Sequence, residues 1–253
     1  MRGMILAGGT GTRMRPLTLV TNKHLLPVWK YPMIYYPLHS LKSMGITEIM
    51  ITVGGESIAD VMRLLGSGAR FGVSLSYRVQ DQAGGIAEAI GLGEGFAGNQ
   101  PIAVILGDNV FDESLAPLRA DFERSGKAAA IILKEVPDPS RFGVAVLDPG
   151  GNVAEIVEKP AAPPSNWAVT GLYVYPPSVF AVTRTLKPSA RGELEVTDLN
   201  NHYIRRGDAA VFRLGGFWSD AGTFESNYRA TSRLREHGVF WESELPADQV
   251  PAP

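Results

Sequence analysis

Short apolar runs alternate with amphipathic stretches through the first half of the chain. Residues 3–7, 48–53, 74–79 and 102–106 read as strands, and helices are predicted near 32–44, 58–65 and 86–94. Alternation of this kind predicts an α/β fold, a Rossmann-like mixed, mainly parallel sheet with helices on both faces. The run Ile102-Ala103-Val104-Ile105-Leu106 has no polar position, as expected of a strand buried on both sides. The second half is richer in strands, near 129–136, 144–147, 153–158 and 169–175, with proline clusters marking loops. Helices return near 177–186, 196–207 and 223–235. One domain over 1–242 is expected, a half of about 1–125 and a second of about 126–242 packed onto it. A loose, proline-rich tail is expected over 243–253.

Composition narrows the chemistry. The chain has 253 residues, 45% of them hydrophobic and 20% charged, with a net charge of −2. That balance gives no bulk attraction to nucleic acid or to an anionic membrane, so any anion must be held by a local pocket. There is no cysteine, which excludes disulfides, thiolate catalysis and cysteine metal sites. The four histidines show no metal-ligand spacing. The apolar stretch Met4 to Ala7 is too short for a signal peptide, and no run is long enough to span a bilayer. A cytoplasmic protein is expected.

The first strand opens into Gly8-Gly9-Thr10-Gly11-Thr12-Arg13. Glycines let a ligand approach with no Cβ in the way, and successive bare N–H groups make an anion cradle. Arg13 adds a fixed positive fork. The spacing is not that of a P-loop, which needs Lys and then Ser or Thr after its last glycine. It is not a dinucleotide fingerprint either, because Met14 stands where the third glycine would be. Both this loop and Gly107-Asp108-Asn109 follow predicted strands, and ligands in open α/β sheets sit beyond the carboxyl ends of strands.

Asp108 and Asp220 are candidate Mg²⁺ ligands, with hard oxygens suited to a cation beside phosphates; each could equally cap a turn or helix. Lys23, Lys159 and Arg191 lie in separate loops, and singly each reads as a solvated surface charge. Together with Arg13 they could neutralise a nucleoside triphosphate and a second phosphate.

These residues resemble the sugar-nucleotide pyrophosphorylases, a nucleotidyltransferase family, and within it the glucose-1-phosphate thymidylyltransferases. Leu6 to Arg13 matches the signature L-A-G-G-x-G-T-R, and Lys23 with Leu25-Leu26-Pro27 matches the K-x-L-L-P element after it. Pro32 to Pro37, Leu106 to Asn109, Arg141 to Val144, Glu158 to Pro160, Val169 to Tyr173 and Ala190 to Asp198 follow in the family's order. The resemblance spans roughly residues 1–230.

It implies that dTTP and glucose-1-phosphate give dTDP-glucose and pyrophosphate, with Mg²⁺ as cofactor, in a homo-oligomer. Leu6, Gly8, Gly9, Gly11, Thr12 and Arg13 would hold the nucleotide, and Gln80 and Gly85 would meet the base edge. Lys23 would bridge the α-phosphate and the sugar phosphate, while Asp108 and Asp220 bind the metal. Lys159 and Arg191 would hold the sugar phosphate, with Asn109, Gly143, Glu158 and Val169 lining the sugar pocket.

The sequence departs from its relatives at the base segment. Their pattern is close to P-x-P-D-G-L-A-Q-A, whereas here Asp81-Gln82-Ala83-Gly84-Gly85-Ile86-Ala87-Glu88-Ala89 follows Gln80. Losing proline and aspartate to Ala83-Gly84 predicts a more flexible loop. The same reaction with UTP, another nucleoside triphosphate or another hexose-1-phosphate is therefore the alternative. A non-catalytic sugar-nucleotide-binding regulator is a distant one, since Arg13, Lys23 and Asp108 are all present.

Overall fold

The computed structural model describes residues 1–246. The chain divides into two units, each assembled from separated segments. The first holds residues 1–83, 105–117 and the chain from Gly216; the second holds 84–104 and 118–215. This division interleaves the chain, in place of the expected consecutive halves.

In the first unit, β1 (Arg2–Ala7), β2 (Glu48–Gly54) and β3 (Ser74–Gln80) pair in parallel, with Ile5 opposite Ile51 and Ile51 opposite Tyr77. Residues 3–7 of β1 are buried, as the unbroken apolar run requires. β3 alternates between exposed and half-buried positions, the pattern of a strand with one face on the core. Strand β4 (Ile102–Leu106) crosses the division between units, and just beyond it the Gly107 N–H donates to the Leu6 carbonyl at 2.9 Å. A short antiparallel ribbon joins Asn109–Phe111 to Trp218–Asp220, neither of which stood out in the sequence because each has only three residues.

The helix Tyr35–Ser43 is buried from Tyr35 to Leu41. Trp241, 1% exposed, packs against Tyr31, Tyr36 and His39, the His39 ring lying parallel at 4.2 Å. Burial lowers the His39 pKa to about 3, with Lys42 adding to the shift, so the ring is neutral at physiological pH. The chain then forms a turn of 3-10 helix at Glu242–Glu244. There Glu242 accepts from Lys30 and Tyr31, and Glu244 pairs with Lys42 at 2.9 Å. The expected loose tail is thus tied down over its first residues, because carboxylates and Leu245 find partners on the core; 247–253 lie outside the described residues.

In the second unit, β5 (Ala129–Glu135) pairs antiparallel with β8 (Trp167–Tyr175) and parallel with β9 (Ala209–Arg213). β6 (Gly143–Leu147) and β7 (Val153–Glu158) form a hairpin, and β6 also meets β8. The helix Val196–Arg205 lies on β7 through buried Asn201, whose side chain both accepts from and donates to the Ile156 backbone at 2.8 Å. The sheet is therefore mixed and the class is α/β, as the alternation predicts. β9 and the helix Ala116–Ser125 went unread in the sequence. Among the described residues no helix is long and apolar enough to cross a membrane.

Candidate active site

The glycine loop leaves β1 and turns at Gly11, whose φ of +65° is in the left-handed region. A turn of 3-10 helix follows at Thr12–Met14, pinned by buried Met14, while Arg13 stays exposed. The Thr18 hydroxyl donates to the Gly11 carbonyl at 2.8 Å and closes the loop from the other side. Gly8 lies against the side chain of buried Gln80, at the end of β3, where a Cβ would collide. Nothing in the local sequence signals that contact; the parallel strands bring it about. A cleft of about 630 Å³ borders Gly8, Gly9, Gln80 and the polar segment after it.

Lys23 and Asp108 form the centre of the first unit's site. The Lys23 Nζ donates to Asp108 Oδ2 at 2.5 Å, with the two side chains 12% and 9% exposed. Asn22 holds this lysine in place by capping its 3-10 turn, its Oδ1 accepting from the His24 N–H at 2.9 Å. Burial is the largest single influence and would raise the Asp108 carboxyl, but the charge of Lys23 opposes it. With His24 and hydrogen bonds from Lys23 and Asn109 also acting, the group is held well below the usual carboxylate range. Burial and the neighbouring Lys23 take the His24 pKa down to about 3, so its ring is neutral and serves as packing. A Cβ on Gly107 would stand 2.7 Å from His24 Cδ2 and 3.1 Å from the Leu6 carbonyl, so this glycine permits the close stacking beneath Asp108.

Asp220 ends the strand Trp218–Asp220 and is the register partner of Asn109, next in sequence to Asp108. It does not cap the following helix: Thr223 does, in a reciprocal capping box with Ser226. Gly222 lies between these groups. Its missing Cβ would be 2.8 Å from Asp108 Oδ2 and 3.5 Å from Arg13 Nη2 and from the Asp220 carbonyl. The first unit thus gathers Arg13, Lys23, Asp108 and Asp220. Asn109, expected in the sugar pocket, is also here; it donates to Asp108 Oδ1 at 3.1 Å and accepts from Trp218 Nε1 at 2.6 Å.

The second unit gathers Gly143, Glu158, Lys159 and Arg191. Gly143 is opposite Glu158 in the β6–β7 hairpin, and its absent Cβ would meet Thr197 Oγ1 at 3.2 Å. Glu158 Oε1 faces Lys159 Nζ at 3.6 Å and Arg191 Nη2 at 3.4 Å, and Oε2 accepts from the Thr197 hydroxyl. Lys159 has a φ of +43°, an uncommon conformation for a residue with a side chain. Val169 is buried on β8 opposite Leu133.

Two residues here were missed in the sequence. Glu195, 8% exposed, grips Arg191 through Nε at 3.2 Å and Nη2 at 2.8 Å and also accepts from Ser189. Thr197 holds Glu158. The Arg191–Glu195 spacing of four was the available signal, masked by the acidic neighbours Glu193 and Asp198, which look like a solvated run. Gly85 lies against Leu194 in the same unit, where a Cβ would come within 2.5 Å of the Leu194 carbonyl oxygen and 2.7 Å of its nitrogen.

Residues 2–237 match the nucleotidyl transferase family model. The chain is 45% identical to a glucose-1-phosphate thymidylyltransferase of Neisseria meningitidis over 92% of its length and 82% of the relative's. It is 44% identical to one from an Actinoplanes species, covering 93% and 78%. A Bacillus anthracis structure with bound sucrose, assigned to the same enzyme, superposes with a TM-score of 0.89 at 52% identity, covering 93% of this chain and 96% of that one. With these relatives the chain belongs to the nucleotidyl transferase family and is similar to glucose-1-phosphate thymidylyltransferases.

Proposed function

We propose that this chain transfers the thymidylyl group of dTTP to glucose-1-phosphate. A sugar-phosphate oxygen attacks the α-phosphorus, that P–O bond forms as the α–β bridge bond breaks, and pyrophosphate leaves with the electron pair. A phosphate monoester, with a second pKa near 6, is already mostly dianionic at neutral pH, so no general base is needed. The neutral, packed His24 accords with that. Catalysis is then positioning and charge stabilisation.

The observation that carries the reading is the largely enclosed Lys23–Asp108 pair beside the glycine loop, its side chains 12% and 9% exposed. Lys23 supplies positive charge where two anions must approach each other, and Arg13 with the loop N–H groups takes the charge of the leaving pyrophosphate. In the second unit Lys159 and Arg191 supply the phosphate-binding charge, with Glu158 and Gly143 on the sugar side. Gln80 and Gly85 are the proposed base contacts.

Asp108 and Asp220 suit a Mg²⁺ ion: both are buried carboxylates, Asp220 being the register partner of Asn109, which follows Asp108, and Gly222 has no Cβ to stand 2.8 Å from Asp108 Oδ2. When bound, the ion would supply charge neutralisation to the phosphates. In Asp108→Asn the midpoint of Mg²⁺ activation should rise by about tenfold or more, the range seen when support for a metal site is removed. A metal titration of pyrophosphate release reads this, and an unmoved midpoint would take Asp108 out of that role.

The altered segment Asp81–Gly84 favours one second reading, the same transfer with another nucleotide. Pyrophosphate release with dTTP, UTP, CTP, ATP and GTP in turn separates the two. Preference for dTTP supports the proposal; preference for another base keeps the chemistry and moves the substrate. Silence with all five, extended to other sugar phosphates, would overturn it.

A further inference from the structure

Three hydrogen bonds hold the short loop ahead of the helix Ile86–Gly91. The Gly84 N–H donates to Glu88 Oε2 at 3.1 Å, the Gly84 carbonyl accepts from the Leu194 N–H at 2.8 Å, and the Leu194 carbonyl accepts from the Ala87 N–H at 3.1 Å. These bonds tie down the segment in which losing proline and aspartate to Ala83-Gly84 predicts a more flexible loop. The two glycines serve different ends. Gly85 has a φ of +107° and its missing Cβ faces immovable Leu194 backbone. Gly84 has no left-handed φ, and its missing Cβ would stand 2.8 Å from Glu88 Oε2 and 3.0 Å from Glu88 Cδ. A bare position 84 is thus what lets the Glu88 carboxylate lie directly on the loop. The neighbouring Gly85 N–H has no acceptor within the described protein.

We infer that Glu88 is a positioning residue for nucleobase recognition: its carboxylate fixes Gly84 and so holds the unpaired Gly85 N–H in one place for the base edge. The inference rests on the reading of Gly85 as a base contact. Deleting the side chain removes the hook. Glutamine keeps an acceptor oxygen of the same reach, so it should keep the hook while losing the charge. Alanine at 84 displaces the carboxylate and leaves residue 88 untouched, which separates loss of the hook from damage to the helix.

The test measures KM for dTTP and UTP, kcat, and KM for glucose-1-phosphate in the wild type, Glu88→Ala, Glu88→Gln and Gly84→Ala. Loss of one hydrogen bond to a charged acceptor should raise the dTTP KM by about tenfold in Glu88→Ala and Gly84→Ala. Discrimination between dTTP and UTP should narrow, with kcat and the sugar-phosphate KM within about twofold of wild type and Glu88→Gln close to it. Equal dTTP KM values across the series, or an equal loss in Glu88→Ala and Glu88→Gln, would overturn the inference. A fall in kcat and both KM effects together would make Glu88 merely structural and would overturn it too. If Glu88→Ala does not fold, Gly84→Ala decides alone. An active wild type with unmoved variants sinks the inference only; a wild type inactive with every nucleotide sinks the proposed function and the inference with it.

Discussion

Lys23→Ala is expected to lower turnover by about 10²–10³-fold, the scale of removing one preorganised charge-stabilising group from an active site. The same substitution leaves the Asp108 carboxylate buried without its cation, at a cost of about 3–5 kcal/mol. The two effects are separated by pH. In the wild type Lys23 holds the Asp108 carboxyl low, so the stability it contributes is complete above its unfolded pKa of about 3.9 and is lost as pH falls through the lower folded value. Without Lys23, burial dominates and raises that carboxyl, so protonation relieves the strain. The stability deficit of the variant should therefore narrow as pH falls from 7 toward 5. Pyrophosphate release and thermal unfolding at several pH values measure both. Near-normal turnover would remove Lys23 from the mechanism, and a deficit independent of pH would contradict the account of Asp108.

The second large effect is expected at Gly85→Ala. A side chain at φ +107° is strained by about 1–3 kcal/mol. The collision with Leu194 backbone adds about as much again, because neither partner has a flexible end to swing aside. Destabilisation of about 3 kcal/mol or more should lower the melting temperature by roughly 6–12 °C. Gly84→Ala, which meets only the flexible end of Glu88, should shift it far less. A calorimetric comparison of the two variants reads the difference; equal melting temperatures would mean that Leu194 gives way and that the backbone contact is not the constraint.

The sequence conveyed those parts of the molecule that depend on local periodicity or on contiguous motifs. β4 and β7 were legible to the residue because continuous or alternating apolar positions set their ends, and the glycine loop was legible because its residues are consecutive. The ribbon joining Asn109–Phe111 to Trp218–Asp220 was not, although it places Asp220 beside Asp108: three residues carry no period, and the pairing crosses about a hundred residues of chain. Thr223 rather than Asp220 caps the last long helix for a reason of geometry, since its hydroxyl, not the carboxylate, is in step with Ser226. Glu195 hid among charged neighbours because burial, which distinguishes it, is a tertiary property. Gly84 and Gly85 looked alike in sequence, and only the surroundings of each show why one answers to a backbone and the other to a carboxylate.

The clamped loop also has an entropic consequence. Fixing one residue's backbone costs about 1–2 kcal/mol, and glycine loses the most freedom of any residue. Were Gly84 and Gly85 free, each arriving nucleotide would have to order them, and its affinity would fall by about tenfold per residue. Because Leu194 and Glu88 already hold both glycines, that ordering is completed during folding, and the binding energy of the nucleotide is left for the contacts it makes.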